Sequence, residues 1–422
     1  MKTNILIISY AYPPNNAAGA QRPYAMAKYL DKTKYNVTVL TCENPSTPLG
    51  INRGFDPSLE GVKLIKIKSF LGSSSDGLRV KSGEKKNSIK RILFSLAQWL
   101  VFPDKAMFWY PNIKSFLKKN KQLMEKTDIV ISTAPGVTNH KIARYIKRKN
   151  NHIQWLADFR DFYYTNHWEE KLGLKPLLHK ILERSIVKEA STLSFVTQTM
   201  KNAYQQAYPK FRNKMHSVYN GFDLDTVSDL SSIKSGKITF FYAGTFYNGI
   251  RSPLPLLQLL DRAFELNDLK PDEVVIQIAG NIDDPMKQQM TKFLSFQCIE
   301  FLGLIPKNQV LKYMKESTFL WLIVGNIKAH YQTVPIKLFE YIATKKPIVN
   351  FAPSISESTQ IIQSNQLGYN FNTLDFELSS AYLEFKKLIA DAKNKDFDAI
   401  YQNRKSIFTW ENQIKKIELL FT

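Results

Sequence analysis

Two residues near the start of "TVPIKLFEYIATKKPIV" (Thr333 to Val349) have the types and spacing to act on an anionic substrate. At a helical period Lys337, Glu340 and Thr344 share one narrow stripe, while Ile336, Leu338, Phe339, Tyr341 and Ile342 fill the rest. An ammonium there adds a full charge to a helix N-terminus that already carries roughly half a positive charge and free N–H groups. A carboxylate one turn deeper accepts hydrogen bonds from hydroxyls. The same two residues also fit an ordinary i,i+3 ion pair on a solvated edge, contributing about 0.2–0.5 kcal/mol. This segment alone does not choose between the readings.

Three other stretches place reactive groups just after apolar runs. "FFYAGTFYNGIRSP" (Phe240 to Pro253) has Gly244 after a strand and Arg251 just before a helix, where a guanidinium binds a diphosphate bidentately better than a flexible lysine does. The plainer reading is an arginine capping a surface turn. "LADFRDFYYTNHW" (Leu156 to Trp168) ends a strand with Asp158, Arg160 and Asp161, of which Arg160 and Asp161 are candidates for acceptor or sugar binding. A structural Arg–Asp salt bridge that pins the loop accounts for the same residues. "SYAYPPNNAAGAQRPYAMAKYL" follows the first strand, and Gly19 with the helix after it can present backbone N–H groups to a phosphate or acceptor. A plain strand-to-helix loop routed by Pro13 and Pro14 is the alternative, and the dinucleotide fingerprint GxGxxG is absent. His140, His152, His167 and His330 lack metal-ligand spacing, and Asp283–Asp284 reads as a turn after "AGNI", so neither a metal site nor a cofactor is expected.

The elements that must hold these groups follow from periodicity. Short apolar runs, "NILIIS", "NVTVLT", "VKLIKI", "DIVIST", "IQWLADF" and "TLSFVT", alternate with helical segments over about Gln21–Leu30 and His140–Lys149. That order implies parallel strands joined by crossover helices. The pattern breaks into turn and serine-rich sequence at Val218–Lys237, then restarts with "ITFFYAG", "EVVIQIAG", "IEFLG", "FLWLIV" and "PIVNFA". Helices are expected between them over Pro253–Leu266, Pro285–Phe296 and Gln309–Lys315. At 422 residues the chain exceeds one core, and the expectation is two doubly wound α/β domains, 1–220 and 221–400, with a helix in 401–422 packing back on the first. In such sheets ligands bind beyond the carboxyl ends of the strands, which is where the motifs lie.

The 58 basic and 37 acidic residues leave +21, pointing to anionic partners: nucleic acid, phosphorylated small molecules or an acidic membrane surface. Cys42 and Cys298 are the only cysteines and lack CxxC spacing, which fits a reducing cytoplasm. "ILIIS" is too short for a signal-peptide core and no run approaches the roughly 18 apolar residues of a membrane span. "RVKSGEKKNSIKRILFSLAQWLVFPDK" sets Lys81, Lys85, Lys86, Lys90 and Arg91 ahead of Leu93, Phe94, Trp99, Leu100 and Phe102. Residues 81–102 suit either peripheral docking on anionic lipid or a core helix with a solvated approach. No nucleic-acid motif accompanies the charge, so nucleic acid is not an expected partner.

Taken in order, "YPPNNAAGAQRPYAMAKYL", "ADFRD", "VTQTMKNAY" with "NGFD", "YAGTFYNGIRSPLPLLQLL", "FLGLIPKNQVLKYM" and "VPIKLFEYIATKKPIV" resemble the retaining, nucleotide-sugar-dependent glycosyltransferases of family 4, with the GT-B fold. The resemblance spans nearly the whole chain. It implies two Rossmann-like domains facing across a cleft, a nucleoside-diphosphate sugar as donor substrate, and a glycan or lipid-linked acceptor hydroxyl. It matches Glu340 to the second Glu of the family's E-x7-E motif, which holds the donor ribose, and Arg251 to the basic position that engages the diphosphate. Gly19 matches the N-terminal glycine loop, while Asp158, Arg160 and Asp161 fall in the segment facing the reaction centre, as the implied acceptor set. The implied catalytic set is Arg251, Lys337 and Asp161, and the implied donor set is Gly19, Gly244, Arg251, Lys337 and Glu340.

The sequence departs from the family at four points. Gln332 stands at the first Glu of E-x7-E, and Pro335 with Lys337 replaces the usual glycine-rich approach, as in a subgroup with P-x-K-x-x-E. Ala18 precedes Gly19 where a second glycine is usual, and Lys345 takes the place of a glycine before Pro347. A sugar-nucleotide epimerase or hydrolase on the same fold, or a non-catalytic basic membrane- or nucleic-acid-binding protein, stands as the alternative.

Overall fold

The computed structural model describes residues 2–14, 18–43, 58–70, 101–134, 136–165, 173–223, 236–247, 249–394 and 407–421. Residues 81–100 of the basic, apolar stretch lie outside the described residues, as do His167 and positions 224–235 of the serine-rich segment. The chain divides into two compact units, Met1–Asn220 with Trp410–Thr422, and Gly221–Thr409.

In the first unit seven strands, β1 (Thr3–Ser9), β2 (Tyr35–Cys42), β3 (Val62–Ile67), β4 (Ile129–Thr133), β5 (Gln154–Phe159), β6 (Thr192–Phe195) and β7 (Met215–Ser217), form a parallel sheet ordered β3-β2-β1-β4-β5-β6-β7. Its helices are α1 (Gln21–Tyr29), α2 (Tyr110–Lys119), α3 (Lys121–Glu125), α4 (Thr138–Lys149), α5 (Leu174–Glu189) and α6 (Gln198–Ala207). Strand β1 shows why its run Ile5–Ile8 is apolar at successive positions. Leu6 and Ile8 enter the core cluster that holds Ile142, Ile146 and Ile186 of α4 and α5, while Ile5 and Ile7 join Met26 and Leu30 on the opposite face. A strand covered on both faces loses the alternation of a half-exposed one.

The second unit has six parallel strands, β8 (Ile238–Ala243), β9 (Val274–Ala279), β10 (Ile299–Gly303), β11 (Phe319–Ile323), β12 (Ile348–Ala352) and β13 (Gly368–Asn372), ordered β10-β9-β8-β11-β12-β13. Around them lie α7 (Leu254–Glu265), α8 (Asp284–Met290), α9 (Lys307–Glu316), α10 (Lys328–Tyr331), α11 (Ile336–Thr344), α12 (Glu357–Ser364) and α13 (Leu378–Ala392). Phe240, Tyr242, Trp321 and Phe351 form the centre of its core, each fully buried. The last helix, α14 (Trp410–Glu418), belongs to the first unit: Trp410, Ile414 and Ile417 repeat at helical spacing and pack with Met26, Ala27 and Leu30 at α1.

The structure corrects one helix. The segment expected over Pro285–Phe296 stops at Met290, and a separate 3-10 turn runs Leu294–Cys298. The carboxylate of Asp261 on α7 accepts hydrogen bonds from Leu294 N (2.9 Å) and Ser295 N (2.7 Å), which starts a new turn instead of continuing the old one. Helices α2, α3, α5, α6, α10, α12 and α13 and strands β7 and β13 occur where the sequence reading assigned no element.

Candidate functional site

Strands β8, β9 and β10 each run into, or end on, a glycine: Gly244, Gly280 and Gly303. Gly244 N donates to Ala279 O and Gly280 N donates to Gly303 O, both at 2.8 Å, so the carboxyl edge of the sheet is closed by backbone. A Cβ on Gly280 would sit 2.0 Å from Gly244 O, and no side chain fits there. The sheet order reverses between β8 and β11, the switch point beside which open α/β sheets hold their ligands. The loop after β8 rests on the one after β11: a Cβ on Gly325 would lie 2.6 Å from Ile250 Cγ2 and 2.7 Å from His330 Nδ1.

Lys337, in the first turn of α11, reaches this edge. Its Nζ lies 4.4 Å from the centre of the Tyr242 ring, and a Cβ on Gly244 would be 2.5 Å from it. The missing side chain at Gly244 is what admits the ammonium. Nζ is buried without a hydrogen-bond partner among the described residues. Burial first, and the Arg251 guanidinium second, push its pKa down to about 7, against an opposing pull from Glu340.

Arg251, at the end of the loop after β8, stacks its guanidinium 4.7 Å from the centre of the Tyr247 ring, and its Nε is buried without a partner among the described residues. Burial raises the Tyr242 hydroxyl to about 12, with Arg251 opposing the rise, and that hydroxyl donates to Thr245 O at 3.1 Å. Among the described residues His330 Nδ1 and Gln332 Oε1 are also buried without partners, and burial and then Arg251 hold His330 below its ordinary value. Buried polar groups are nearly always paired, so the Lys337 ammonium, the Arg251 Nε and two neutral polar groups unmet among the described residues single out these adjoining segments as the candidate site. Beside Arg251, residues Gly249, Ser252, Asp283, Pro285, Met286 and Gln289 line a cavity of about 400 Å³.

Glu340 does not form the i,i+3 pair with Lys337 that its spacing permits. Lys307 Nζ, from α9, contacts its Oε1 at 3.2 Å, with both side chains partly exposed. Asp283, which tempts a metal reading, instead caps α8 by accepting from Met286 N at 2.9 Å.

The remaining candidates, Gly19, Asp158, Arg160 and Asp161, belong to the first unit. Asp158 is fully buried and both its oxygens are taken. Arg22 Nη2 and Nε donate to Oδ1 and Oδ2 at 2.8 and 2.9 Å, Ser194 Oγ donates to Oδ1 at 2.6 Å, and Thr133 Oγ1 donates to Oδ2 at 2.8 Å. Burial alone would raise this carboxyl; Arg22 and the two hydroxyls hold it below its ordinary value instead. Asp158 therefore fastens α1 to β5 and has no free face for an acceptor, which corrects the expectation for this residue. The salt bridge is real but its arginine is Arg22, not the neighbouring Arg160. Arg160 Nε and Nη1 are buried without partners among the described residues, and burial lowers its pKa while exposed Asp161 opposes the change. Gly19 is buried in the short turn Ala18–Ala20 that leads into α1.

The structure thus gathers Gly244, Arg251 and Lys337 at one edge and turns Glu340 toward Lys307. Sequence reasoning missed Arg22, Tyr242, His330 and Lys307. Arg22 had a legible signal, since a charged residue on the apolar face of α1 needs a buried counter-ion. The others had none, because a strand tyrosine and a surface lysine are ordinary.

No family model matches the chain, and no curated protein matches it. Solved structures do. Sucrose-phosphate synthase from Thermosynechococcus elongatus superposes with a TM-score of 0.61 at 11% identity, covering 100% of this chain and 98% of that one. A glycosyltransferase from Rickettsia africae gives 0.60 at 14% identity with the same coverage. A putative UDP-N-acetylglucosamine 2-epimerase from Listeria monocytogenes gives 0.50 at 10%, covering 99% and 95%. With two parallel-sheet α/β units and full-length likeness of this kind, the chain has the GT-B fold.

Proposed function

We propose that the chain is a glycosyltransferase that moves a sugar from a nucleoside-diphosphate sugar to a hydroxyl of a surface glycan or its lipid-linked precursor, with retention of configuration. The observation that carries this reading is the Arg251–Lys337 pair: two cations at one strand edge, each with a buried N–H group that nothing in the described residues satisfies. Departure of a nucleoside diphosphate concentrates negative charge on its oxygens, and preorganised positive charge lowers that barrier without waiting for solvent to reorganise. Arg251 supplies a fixed, planar donor set and Lys337 a point charge at the mouth of α11. Diphosphate binding draws a proton onto Lys337, because a dianion beside it favours the ammonium. Glu340, with Lys307 on Oε1, has Oε2 to accept from ribose hydroxyls. Gln332 offers a neutral acceptor to the sugar, and the cavity beside Arg251 adds room within the donor region. The likeness to sucrose-phosphate synthase and to the Rickettsia glycosyltransferase supports the reading. So does the order of the sequence motifs. Arg160 with Asp161 is the acceptor-side proposal that remains once Asp158 is removed from it.

The test is a thermal-shift panel of UDP, GDP, dTDP and CDP and their sugars, followed by transfer assays. One base should raise the melting temperature by an amount growing with the logarithm of ligand over Kd, and Arg251→Ala should abolish the rise. Release of nucleoside diphosphate should require an acceptor; acceptor-independent turnover would assign the site to an epimerase or hydrolase. No shift with any nucleotide would overturn the donor site itself.

A further inference from the structure

Helix α5 carries apolar residues on two opposite faces. Its inner face buries Leu182, Ile186 and Val187, yet Leu174, Leu177, Leu178 and Ile181 remain 60, 50, 40 and 56% exposed. Their i, i+3, i+4, i+7 spacing sets all four on one stripe, turned away from the buried residues. Isolated exposed leucines need no account, but a contiguous stripe of large aliphatics on a helix marks a docking surface.

Charge identifies what it docks on. Lys180, Arg184 and Lys188 are exposed along the same helix. Both acidic residues of α5 are occupied internally. Glu183 is fully buried, accepting from the backbone N–H groups of Tyr164 and Thr165 and from the hydroxyls of Thr165, Tyr204 and Tyr208. Glu189 is held by Arg144 and Arg148, each at 2.7 Å. The outer side of the helix therefore presents cations and aliphatics with no carboxylate free to offset them.

The rest of the chain is partitioned in the same sense. Residues 1–220 with 410–422 hold 38 of the 58 Lys and Arg but 17 of the 37 Asp and Glu, while the second unit has 20 of each. The entire excess of +21 thus belongs to the unit that carries α5. An apolar partner alone would not call for that charge, and a nucleic acid would not call for the aliphatic stripe.

We propose that the outer stripe of α5 docks the first unit on an anionic lipid bilayer, with Leu174, Leu177, Leu178 and Ile181 entering the acyl boundary and Lys180, Arg184 and Lys188 meeting the headgroups. The inference is independent of the donor site and of residues 81–102, and it needs no membrane-spanning segment. Among the described residues no helix is long and apolar enough to cross a membrane. Lysine and arginine stems are long enough to lie along the lipid surface while their charged ends reach phosphate.

The test is co-sedimentation of the full chain with vesicles of phosphatidylcholine, alone or mixed with phosphatidylglycerol, over a range of salt. Wild type should partition onto the mixed vesicles only, and less as salt rises. Leu177→Gln with Ile181→Gln should weaken partitioning about tenfold or more, as should Lys180→Glu with Arg184→Glu. All four positions are exposed, and circular dichroism of both variants should match wild type. Absence of vesicle binding, equal binding to both vesicle types, or variants that bind like wild type would each overturn the proposal. A dimer that the Leu177/Ile181 variant abolishes, without any vesicle binding, would overturn it in favour of a second copy of the chain.

Discussion

Lys337→Met separates what the buried ammonium does for binding from what it costs the fold. The side chains are similar in length, and methionine has no charge to desolvate. In the folded chain Lys337 titrates at about 7, below its ordinary 10.5. Between those values the unfolded chain holds a proton that the folded one has released, so stability rises with pH above about 7 and is flat below it. The slope is half its full value of about 1.4 kcal/mol per unit at pH 7 and nearly full by pH 8, which gives roughly 2 kcal/mol of added wild-type stability between pH 7 and pH 9. The variant lacks this component and should exceed wild type by about 2–5 kcal/mol at pH 6, where the full desolvation cost applies. Urea unfolding of both proteins at pH 6 and pH 9, followed by circular dichroism, measures the difference. Other shifted lysines such as Lys141 are common to both and cancel. Nucleotide affinity should fall in the same variant by about 10²-fold, taking loss of one charge-stabilising donor as the guide. Equal pH slopes in the two proteins, or a variant less stable at pH 6, would refute the reasoning.

Wild-type affinity for a nucleoside diphosphate should decline as pH rises above about 7, by up to tenfold per unit, because the dianion prefers protonated Lys337; isothermal titration at pH 6.5 to 8.5 reads it (about 6.5–8.5 being the window on either side of that pKa). Gly244→Ala should displace the ammonium at the end of a flexible stem and force alanine into a positive φ of 156°, lowering nucleotide affinity about tenfold and costing about 1–3 kcal/mol of stability, measured by the same titration and by urea unfolding. Asp158→Ala should destabilise by about 3–5 kcal/mol, since it leaves Arg22 buried and unpaired; a midpoint unchanged from wild type would deny that anchor. Lys345 ends α11 in the left-handed region at φ 56°, so Lys345→Gly should add about 1 kcal/mol, read as a raised urea midpoint.

The parallel sheets were legible because strands buried on both faces leave continuous apolar runs, as β1 and β11 do, and amphipathic helices separate them. Gly244, Arg251 and Lys337 could be singled out because each stands at a joint between strand and helix, where an open α/β sheet keeps its ligands. What escaped detection was pairing at long range. Arg22 and Asp158 lie 136 positions apart, and the closer Arg160 offered a false partner. Lys307 and Glu340 are likewise on different helices, so the local spacing of Lys337 and Glu340 suggested the wrong bridge. Helix α5 was overlooked for a different reason: its outward leucines blur the amphipathic signature by which a helix is recognised. The end of α8 was set by Asp261 on another helix, which no reading of residues 285–296 reveals.

The seating of α14 against α1 has an implication for biosynthesis. Ile414 and Ile417 seal one side of the β1 core, yet they are translated only after the whole of 221–409. During vectorial synthesis the second unit can therefore mature while the first is still missing a wall, its Ile5 and Met26 side waiting for the last stretch to emerge. A nascent chain stalled before Trp410 would expose that greasy seam to chaperones, even though every strand of both sheets had already been made.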